Sequence, residues 1–203
     1  MIYLLGGAPR VGKSIIGREL AKATEFNYVS TDDVTEKALA AISKERQAIL
    51  FPGPNFFRNP EENILSPMER TTLLMISNGS LRPDIDAIVR NAIAEHKNLV
   101  VEGAHLLASH VRDLEDEFGS EQVRSLFVGW KDVDAIANGI HQDTGDMNWL
   151  KHGSPAVVQQ VAEFVAAYST RLQSDAEQHN VTYRERTPDF SADTECVLEY
   201  FNR

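Results

Sequence analysis

The densest group of residues that could do chemistry occupies positions 7–14. The segment reads Gly-Ala-Pro-Arg-Val-Gly-Lys-Ser and fits the pattern G-x-x-x-x-G-K-[ST], in which x is any residue. It follows an apolar run and precedes an amphipathic pattern, so we expect a turn between a strand and a helix. Glycines let backbone N–H groups turn inward around phosphate oxygens, and the positive end of the helix dipole faces the same charge. The segment therefore predicts a loop that binds nucleotide phosphates.

Two side chains of this loop have expected roles toward ATP and Mg²⁺. Lys13 is expected to reach the β- and γ-phosphates, and Ser14 to place its hydroxyl on Mg²⁺. Arg10 could add a further donor to the phosphates. The expected ATP-binding residues are Gly7, Ala8, Pro9, Arg10, Val11, Gly12, Lys13, Ser14 and Ile15.

Two acids follow the second apolar segment, at the end of the run Ser-Thr-Asp-Asp. Ligands of open α/β sheets gather at the carboxyl ends of the strands, so we expect Asp32 to face the phosphates. Its carboxylate could accept a proton from an acceptor hydroxyl or orient a metal-bound water. The alternative is that Asp32 and Asp33 only cap the helix that follows.

A third acid, Glu102, ends the apolar run Leu-Val-Val. An acid in this place suits the binding of Mg²⁺ through water, or a contact with the substrate. The alternative is an ion pair between Glu102 and a nearby cation. We expect Mg²⁺ to be held by Ser14, Asp32 and Glu102.

The remaining candidates for catalysis are cations. Lys151 and Arg171 could stabilise the charge of a phosphoryl group in transfer, and Arg171 joins Lys13, Asp32 and Glu102 as an expected catalytic residue.

Residues 142–154 have no strong periodicity and predict a lid that excludes water from the phosphates. His105 and His110 are not spaced as zinc ligands, so we expect surface or polar-core histidines and no protein-bound transition metal.

Five short apolar segments alternate with longer helical patterns, which predicts an α/β fold with a parallel sheet. The segments span residues 2–5, 26–30, 98–102, 123–129 and 181–184. Almost seventy residues separate the second segment from the third, far more than one crossover needs. We therefore expect a helical insertion at about 44–97 that holds part of the acceptor site.

Several signals divide this insertion into helices and a loop. Ser66 with Pro67 and Glu69 predicts a capping box with proline in the first turn, and Gly79 predicts the end of the same helix. Residues 51–60 are rich in proline and phenylalanine and predict a loop. Its rings either fill the core or line a pocket.

Composition narrows the class of protein. The 203 residues, 42% hydrophobic and 25% charged, suit one folded domain over 1–203. A net charge of −10 disfavours binding to nucleic acid or to anionic membranes. Cys196 is the only cysteine, and the apolar run at 2–5 is too short for a signal peptide or a membrane span. We expect a cytoplasmic protein that is a monomer or a homodimer.

The sequence resembles the nucleoside-monophosphate-kinase-like P-loop kinases and, among them, proteins similar to archaeal 2-phosphoglycerate kinase. The resemblance rests on residues 6–14, 30–33, 101–106 and 171–181. It implies a three-layer P-loop NTPase fold, with a five-stranded parallel sheet in the order 2-3-1-4-5 and helices on both faces. It also implies an enzyme that transfers the γ-phosphoryl group of ATP to a small molecule, with roles for Lys13, Ser14, Asp32 and Glu102. Residues 51–60 match no acceptor pattern, so the resemblance does not name the acceptor.

Two other functions remain open at this point. The same loop could serve a nucleotide-binding regulatory module that transfers no phosphate to a metabolite. The acceptor could also be an antibiotic or a cell-wall sugar, as in resistance and toxin kinases. A GTPase is disfavoured because the guanine signature Asn-Lys-x-Asp is absent from the sequence.

Overall fold

A computed structural model describes residues 1–52, 65–143, 150 and 152–202. Its five strands are β1 (Ile2–Gly7), β2 (Asn27–Ser30), β3 (Leu99–Gly103), β4 (Val123–Gly129) and β5 (Tyr183–Glu185). They form one sheet in the order β2-β3-β1-β4-β5, and all neighbouring strands are parallel. The predicted fold class and strand order are confirmed.

Nine helices are described around this sheet. They are α1 (Lys13–Thr24), α2 (Thr31–Ala40), α3 (Lys44–Leu50), α4 (Pro67–Ser80), α5 (Arg82–Ala94), α6 (Ala108–Phe118), α7 (Val133–Gln142), α8 (Pro155–Gln178) and α9 (Phe190–Asn202). Within the described residues, no helix is both long and apolar enough to cross a membrane.

Burial along the sheet follows the position of each strand. The central strand β1 and its neighbour β3 are buried along their whole length, and β4 is buried at all but one residue. This is why their sequences are nearly continuous apolar runs, as expected for a parallel sheet covered on both faces. The edge strands β2 and β5 are mostly half-buried and correspondingly less apolar.

Two groups of helices cover the sheet. Helix α1 contacts α9 as well as β1 and β3, and the Tyr3 ring of β1 lies 5.0 Å from the Phe26 ring and 4.7 Å from the Phe201 ring of α9. The long helix α8 contacts β4, and α4, α6 and α7 pack against it. The helices hold the sheet between two layers, and the sheet in turn fixes the positions of the loops at its edge.

The register of the strands brings three loops to one edge of the sheet. Glu102 of β3 pairs with Leu5 of β1 on one side and with Ser30 of β2 on the other. All three strands run in the same direction, so the residues that follow them emerge together. The candidate residues after β1, β2 and β3 are therefore neighbours in space.

Some local expectations differ from the structure. Gly79 does not end its helix, because α4 continues to Ser80 and Leu81 leads directly into α5. Gly79 does not have the positive φ that a terminal glycine takes. The predicted fifth strand, at 181–184, begins two residues before β5 and ends one residue before the end of β5. The capping box of Ser66 and Glu69 is present as predicted.

Two predicted regions fall mainly outside the described residues. Phe51 is described and is buried in the core, whereas residues 53–60 of the predicted loop are not described. In the predicted lid, residues 144–149 and Lys151 also lie outside the described part. The lid therefore stays a prediction, bounded in the structure by the end of α7 and the start of α8.

Candidate active site

The loop after β1 has the backbone conformation expected of a phosphate-binding loop. Gly12 has a φ of 86°, in the region that favours glycine, and Arg10 has a φ of 65°. The backbone N–H of Ala8 donates to the carbonyl of Val128 at 3.0 Å. A Cβ atom on Gly7 would lie 2.2 Å from that same carbonyl oxygen, so only glycine fits there. The loop is thus anchored to β4 and then turns into α1.

Lys13 is buried at the start of α1, with 6% of its surface exposed. Its Nζ donates to the carbonyl of Ala8 at 2.7 Å and lies 3.9 Å from Oε1 of Glu102. Burial lowers the pKa of Lys13, although the negative charges of Glu102 and Asp32 act to raise it. The ammonium group therefore lies against its own loop. Phosphate oxygens would be anionic partners that stabilise this buried positive charge.

Glu102 is buried under the loop and is held from two sides. Its Oε2 accepts a hydrogen bond of 2.9 Å from the hydroxyl of Tyr28 on β2, while its Oε1 faces Lys13. Burial and the adjacent Glu102 both raise the pKa of Tyr28, so the phenol stays protonated and donates. Helix α1 can approach Glu102 because residue 17 is glycine; a Cβ there would lie 3.1 Å from Cβ and Cγ of Glu102.

The substitution Tyr28→Phe tests this arrangement. It removes the donor to Glu102 and leaves one oxygen of a buried carboxylate without its partner. We expect the free energy of unfolding to fall by about 1–3 kcal/mol. Urea unfolding of the two proteins measures the difference, and equal midpoints and slopes would show that the hydrogen bond contributes nothing.

Asp32 projects from the first turn of α2, and its side chain is 76% exposed. The cap of this helix is Ser30, whose Oγ accepts from the backbone N–H of Asp32 at 3.3 Å. The alternative in which Asp32 and Asp33 serve only as the cap is therefore not supported. The negative charges of Asp32 and Glu102 both act on Lys13.

His105 lies between α2 and the end of β3, in a polar part of the core. Its Nδ1 is 2.8 Å from Oγ1 of Thr31, and its Nε2 is 3.3 Å from Oγ1 of Thr35. Burial lowers the pKa of His105 to about 4, against the opposing charge of Asp32 and with a smaller contribution from Lys13. The imidazole is therefore neutral near pH 7. The expectation of a polar-core histidine agrees with this position.

His105 should make the fold sensitive to acid. Its pKa is about 6.5 in the unfolded chain and about 4 in the folded one, so between these values the unfolded chain binds more protons. The stability that neutral His105 contributes is fully present above pH 6.5. The free energy of unfolding should fall by about 3 kcal/mol as the pH approaches 4. Urea unfolding at stepped pH values measures this slope.

The control for this prediction is His105→Gln, which cannot titrate in this range. The second buried histidine, His110, also has a pKa lowered by burial, although its bond to Asp86 opposes the shift. It is present in both proteins, so the difference between their slopes belongs to His105. Identical slopes would contradict the prediction.

An aromatic and cationic group borders the loop on its other side. The guanidinium of Arg186 lies 4.0 Å from the centre of the Trp130 ring and 4.7 Å from that of Phe190. Phe190 packs directly on Gly12, where a Cβ would lie 2.5 Å from its ring. The loop also makes an ion pair, because Arg10 lies 3.2 Å from Asp143 at the end of α7.

The other predicted residues lie at different distances from this centre. Ser14 and Ile15 are in the first turn of α1, and 54% of the Ile15 surface is exposed. Arg171 is exposed on α8. In the part of the chain that the structure describes, no three His, Cys, Asp or Glu side chains form a metal site by themselves. The structure thus brings together Lys13, Glu102 and Asp32.

Comparison with known proteins finds similarity to kinases of small molecules. Residues 9–101 match the family model described as shikimate kinase. A shikimate kinase of Clostridium botulinum is 32% identical over 80 residues, which are 39% of this chain and 46% of the relative. The 2-phosphoglycerate kinase of Methanothermobacter thermautotrophicus is 28% identical over 132 residues, 63% of this chain and 42% of the relative. The chain spans about half the length of the curated relatives that it matches.

Solved structures show the same fold at low sequence identity. Shikimate kinase from Bacteroides thetaiotaomicron superposes with a TM-score of 0.53 and 12% identity, over 100% of this chain and 99% of that one. Deoxyadenosine kinase from M. mycoides with bound dATP gives a TM-score of 0.51 and 10% identity, with both chains fully covered. The resemblance to P-loop small-molecule kinases, including 2-phosphoglycerate kinase, is confirmed by the sequence matches, and the P-loop kinase fold by these structures.

Proposed function

We propose that the chain is an ATP-dependent kinase that transfers the γ-phosphoryl group to a small-molecule acceptor. The observation that carries the proposal is the burial of Lys13 inside a glycine-bounded loop, with Glu102 and Asp32 at the same edge of the sheet. A buried lysine between a phosphate loop and two carboxylates can bind an anionic nucleotide together with a divalent cation. The similarity to kinases supports the same reaction.

The residues present fit ATP with Mg²⁺. A Cβ on Gly7 would collide with Val128 and one on Gly12 with Phe190, so these glycines allow the turn that would present backbone N–H groups to phosphate oxygens. Mg²⁺ prefers oxygen ligands and keeps several of its waters, so the hydroxyl of Ser14 and the carboxylates of Asp32 and Glu102 would suffice around it. ATP with Mg²⁺ supplies the transferable phosphoryl group and neutralises part of its charge.

The side chains would then divide the work of transfer. Lys13 would move from the carbonyl of Ala8 to the β- and γ-phosphates. The exposed carboxylate of Asp32 would orient the acceptor hydroxyl and take its proton, or hold a metal-bound water. We propose Arg171, which is exposed on α8, as the cation for the transferred group; its residue type, and no contact among the described residues, supports this part of the proposal.

The base of the nucleotide would contact Arg186 and Phe190, which are half-buried beside the loop, whereas Trp130 is buried under the guanidinium of Arg186. A planar ring and a guanidinium offer stacking surfaces for a purine. Phe190 packs on Gly12, which puts this surface next to the proposed phosphate site. Residues 44–97 and 142–154 remain the proposed acceptor-binding insertion and lid.

Composition supports proposals on the class of acceptor and on the cellular location of the protein. The net charge of −10 supports a small-molecule acceptor in preference to nucleic acid. With a single cysteine and no internal disulfide, we propose a cytoplasmic protein. We also propose that it is a monomer or a homodimer, which light scattering after size-exclusion chromatography would distinguish.

The deciding experiment measures Mg²⁺-dependent formation of ADP from ATP with a panel of acceptors. The panel contains shikimate and 2-phosphoglycerate, for which the relatives are named, and also sugars, nucleosides and aminoglycosides. We expect one acceptor class to accelerate ADP formation in the wild type and not in Lys13→Ala. Aminoglycosides or cell-wall sugars as that class would identify a resistance or toxin kinase. Tight ATP binding without any acceptor effect would favour the regulatory module instead.

A further inference from the structure

We propose that Thr35 is a positioning residue: its hydroxyl fixes the tautomer of His105, so that the imidazole lies beside Asp32 without binding its carboxylate. The inference rests on the kinase function proposed above and deepens it, because it explains how Asp32 stays available to acceptor or metal.

The Thr35 hydroxyl has a single proton to donate. Thr35 Oγ1 donates to the carbonyl of Thr31, one helical turn earlier in α2, at 2.8 Å. A hydroxyl has one proton, so this bond uses it. Toward Nε2 of His105, 3.3 Å away, the Thr35 oxygen can therefore only accept. Nε2 must carry a hydrogen.

The other ring nitrogen of His105, Nδ1, faces Thr31. In a neutral imidazole with a hydrogen on Nε2, Nδ1 has a lone pair and is an acceptor. Thr31 Oγ1 lies 2.8 Å from Nδ1 and donates to it. Thr31, Thr35 and His105 are all buried, with 0%, 8% and 9% of their surfaces exposed. The two threonines thus determine both the tautomer and the orientation of the ring.

This tautomer of His105 affects Asp32. Its Oδ1 is 3.7 Å from Nδ1 of His105, beyond the length of a hydrogen bond. Because Nδ1 has no hydrogen in this tautomer, the ring does not hold the carboxylate. In the opposite tautomer, Nδ1–H would donate to Thr31, and a positive N–H dipole instead of a lone pair would lie 3.7 Å from Oδ1 of Asp32. That dipole would attract the carboxylate toward the ring and away from the acceptor or Mg²⁺. The hydroxyl of Thr35 prevents that attraction.

The substitution Thr35→Val tests the inference, because valine keeps the shape of threonine and removes the acceptor for Nε2–H. We expect the nitrogen-15 NMR signals of the His105 ring to change to those of the Nδ1–H tautomer. We expect kcat to fall about tenfold, while KM for ATP changes little. Thr35→Ser retains the hydroxyl and should restore both the NMR signals and kcat.

The matched control is Thr24→Val. Thr24 also donates to the carbonyl four residues earlier, at 2.8 Å, but lies at the end of α1 that is distant from the loop. It should change neither the His105 signals nor kcat. The comparison separates the loss of a helical threonine bond from the loss of the partner of His105.

The outcomes distinguish this inference from the proposed function. An Nδ1–H tautomer in the wild type overturns the inference, whatever the activity and even if Thr35→Val does not fold. The inference also fails if Thr35→Val shifts the tautomer and leaves kcat unchanged. Absence of any acceptor-dependent turnover in the wild type would instead overturn the kinase function, and with it the role assigned to Thr35.

Discussion

The substitution Lys13→Ala is expected to lower the turnover number by about 10³-fold, close to the detection limit of most assays. The Nζ atom of Lys13 is the cation that the structure places inside the loop, 2.7 Å from the carbonyl of Ala8. Charge that develops on the transferred phosphoryl group would lose its main fixed partner. Steady-state rates with a saturating acceptor, once the panel has found one, measure the effect.

The matched control for this prediction is Lys22→Ala. Lys22 is in the last turn of the same helix, exposed and distant from the loop, so its removal should leave turnover unchanged. A second variant, Lys13→Met, keeps most of the side-chain volume and removes the charge. If Lys13→Met is folded by thermal unfolding and still turns over at the wild-type rate, the proposed catalytic role of Lys13 is wrong.

The parts of the fold that the sequence predicted correctly are those with strong local signals. Residues 7–14 carry a pattern whose glycines are needed for the turn itself, and the structure shows why for Gly7 and Gly12. The central strands were recognisable because burial on both faces demands continuous apolar runs. The strand order followed from the resemblance, since periodicity does not say which strands are neighbours.

Tyr28 and His105 show why the rest of the site could not be predicted. Tyr28 contacts Glu102 only because β2 pairs with β3 in one register, and their sequence separation is 74 residues. Nothing in the run around Tyr28 indicates such a partner. His105 was expected in the polar core or on the surface, yet its two threonine partners were not foreseen. One local signal was available, because Thr31 and Thr35 lie four apart on a helical pattern and must share a face.

Gly79 and Ser30 show where a local sequence signal was misread. The glycine was predicted to end a helix that continues, and the cap of α2 is a different residue from those considered. Glycine often ends a helix, but a Cβ at Gly79 would have nothing within 4 Å, so this residue is tolerated on an exposed turn of α4. At the start of α2, the sequence left open whether Asp32 and Asp33 cap the helix. Ser30 is the cap, and the Asp32 side chain is exposed.

The substitution Asp32→Asn is expected to lower turnover by about 10²-fold, because asparagine keeps the size of aspartate but cannot take a proton from the acceptor. ATP affinity should change little, since the Asp32 carboxylate is 76% exposed and the phosphate loop is anchored elsewhere. The rate is measured at several Mg²⁺ concentrations. Recovery of the rate at high Mg²⁺ would show that Asp32 acts through the metal, and a rate that stays low would favour the role of a base.

Asp33→Asn is the control that makes this test specific. Asp33 is the next residue in the same first turn, it is also exposed, and its substitution removes the same charge from the same end of α2. If the two variants lose activity equally, the effect belongs to the charge at the helix terminus and Asp32 has no special role. If only Asp32→Asn is slow, the loss of activity is caused by the position of Asp32 and not by the charge alone. Of the two residues, Asp32 is the one that lies beside His105 and whose charge acts on Lys13. The difference between two adjacent carboxylates would then measure what the polar network around Asp32 contributes to the reaction.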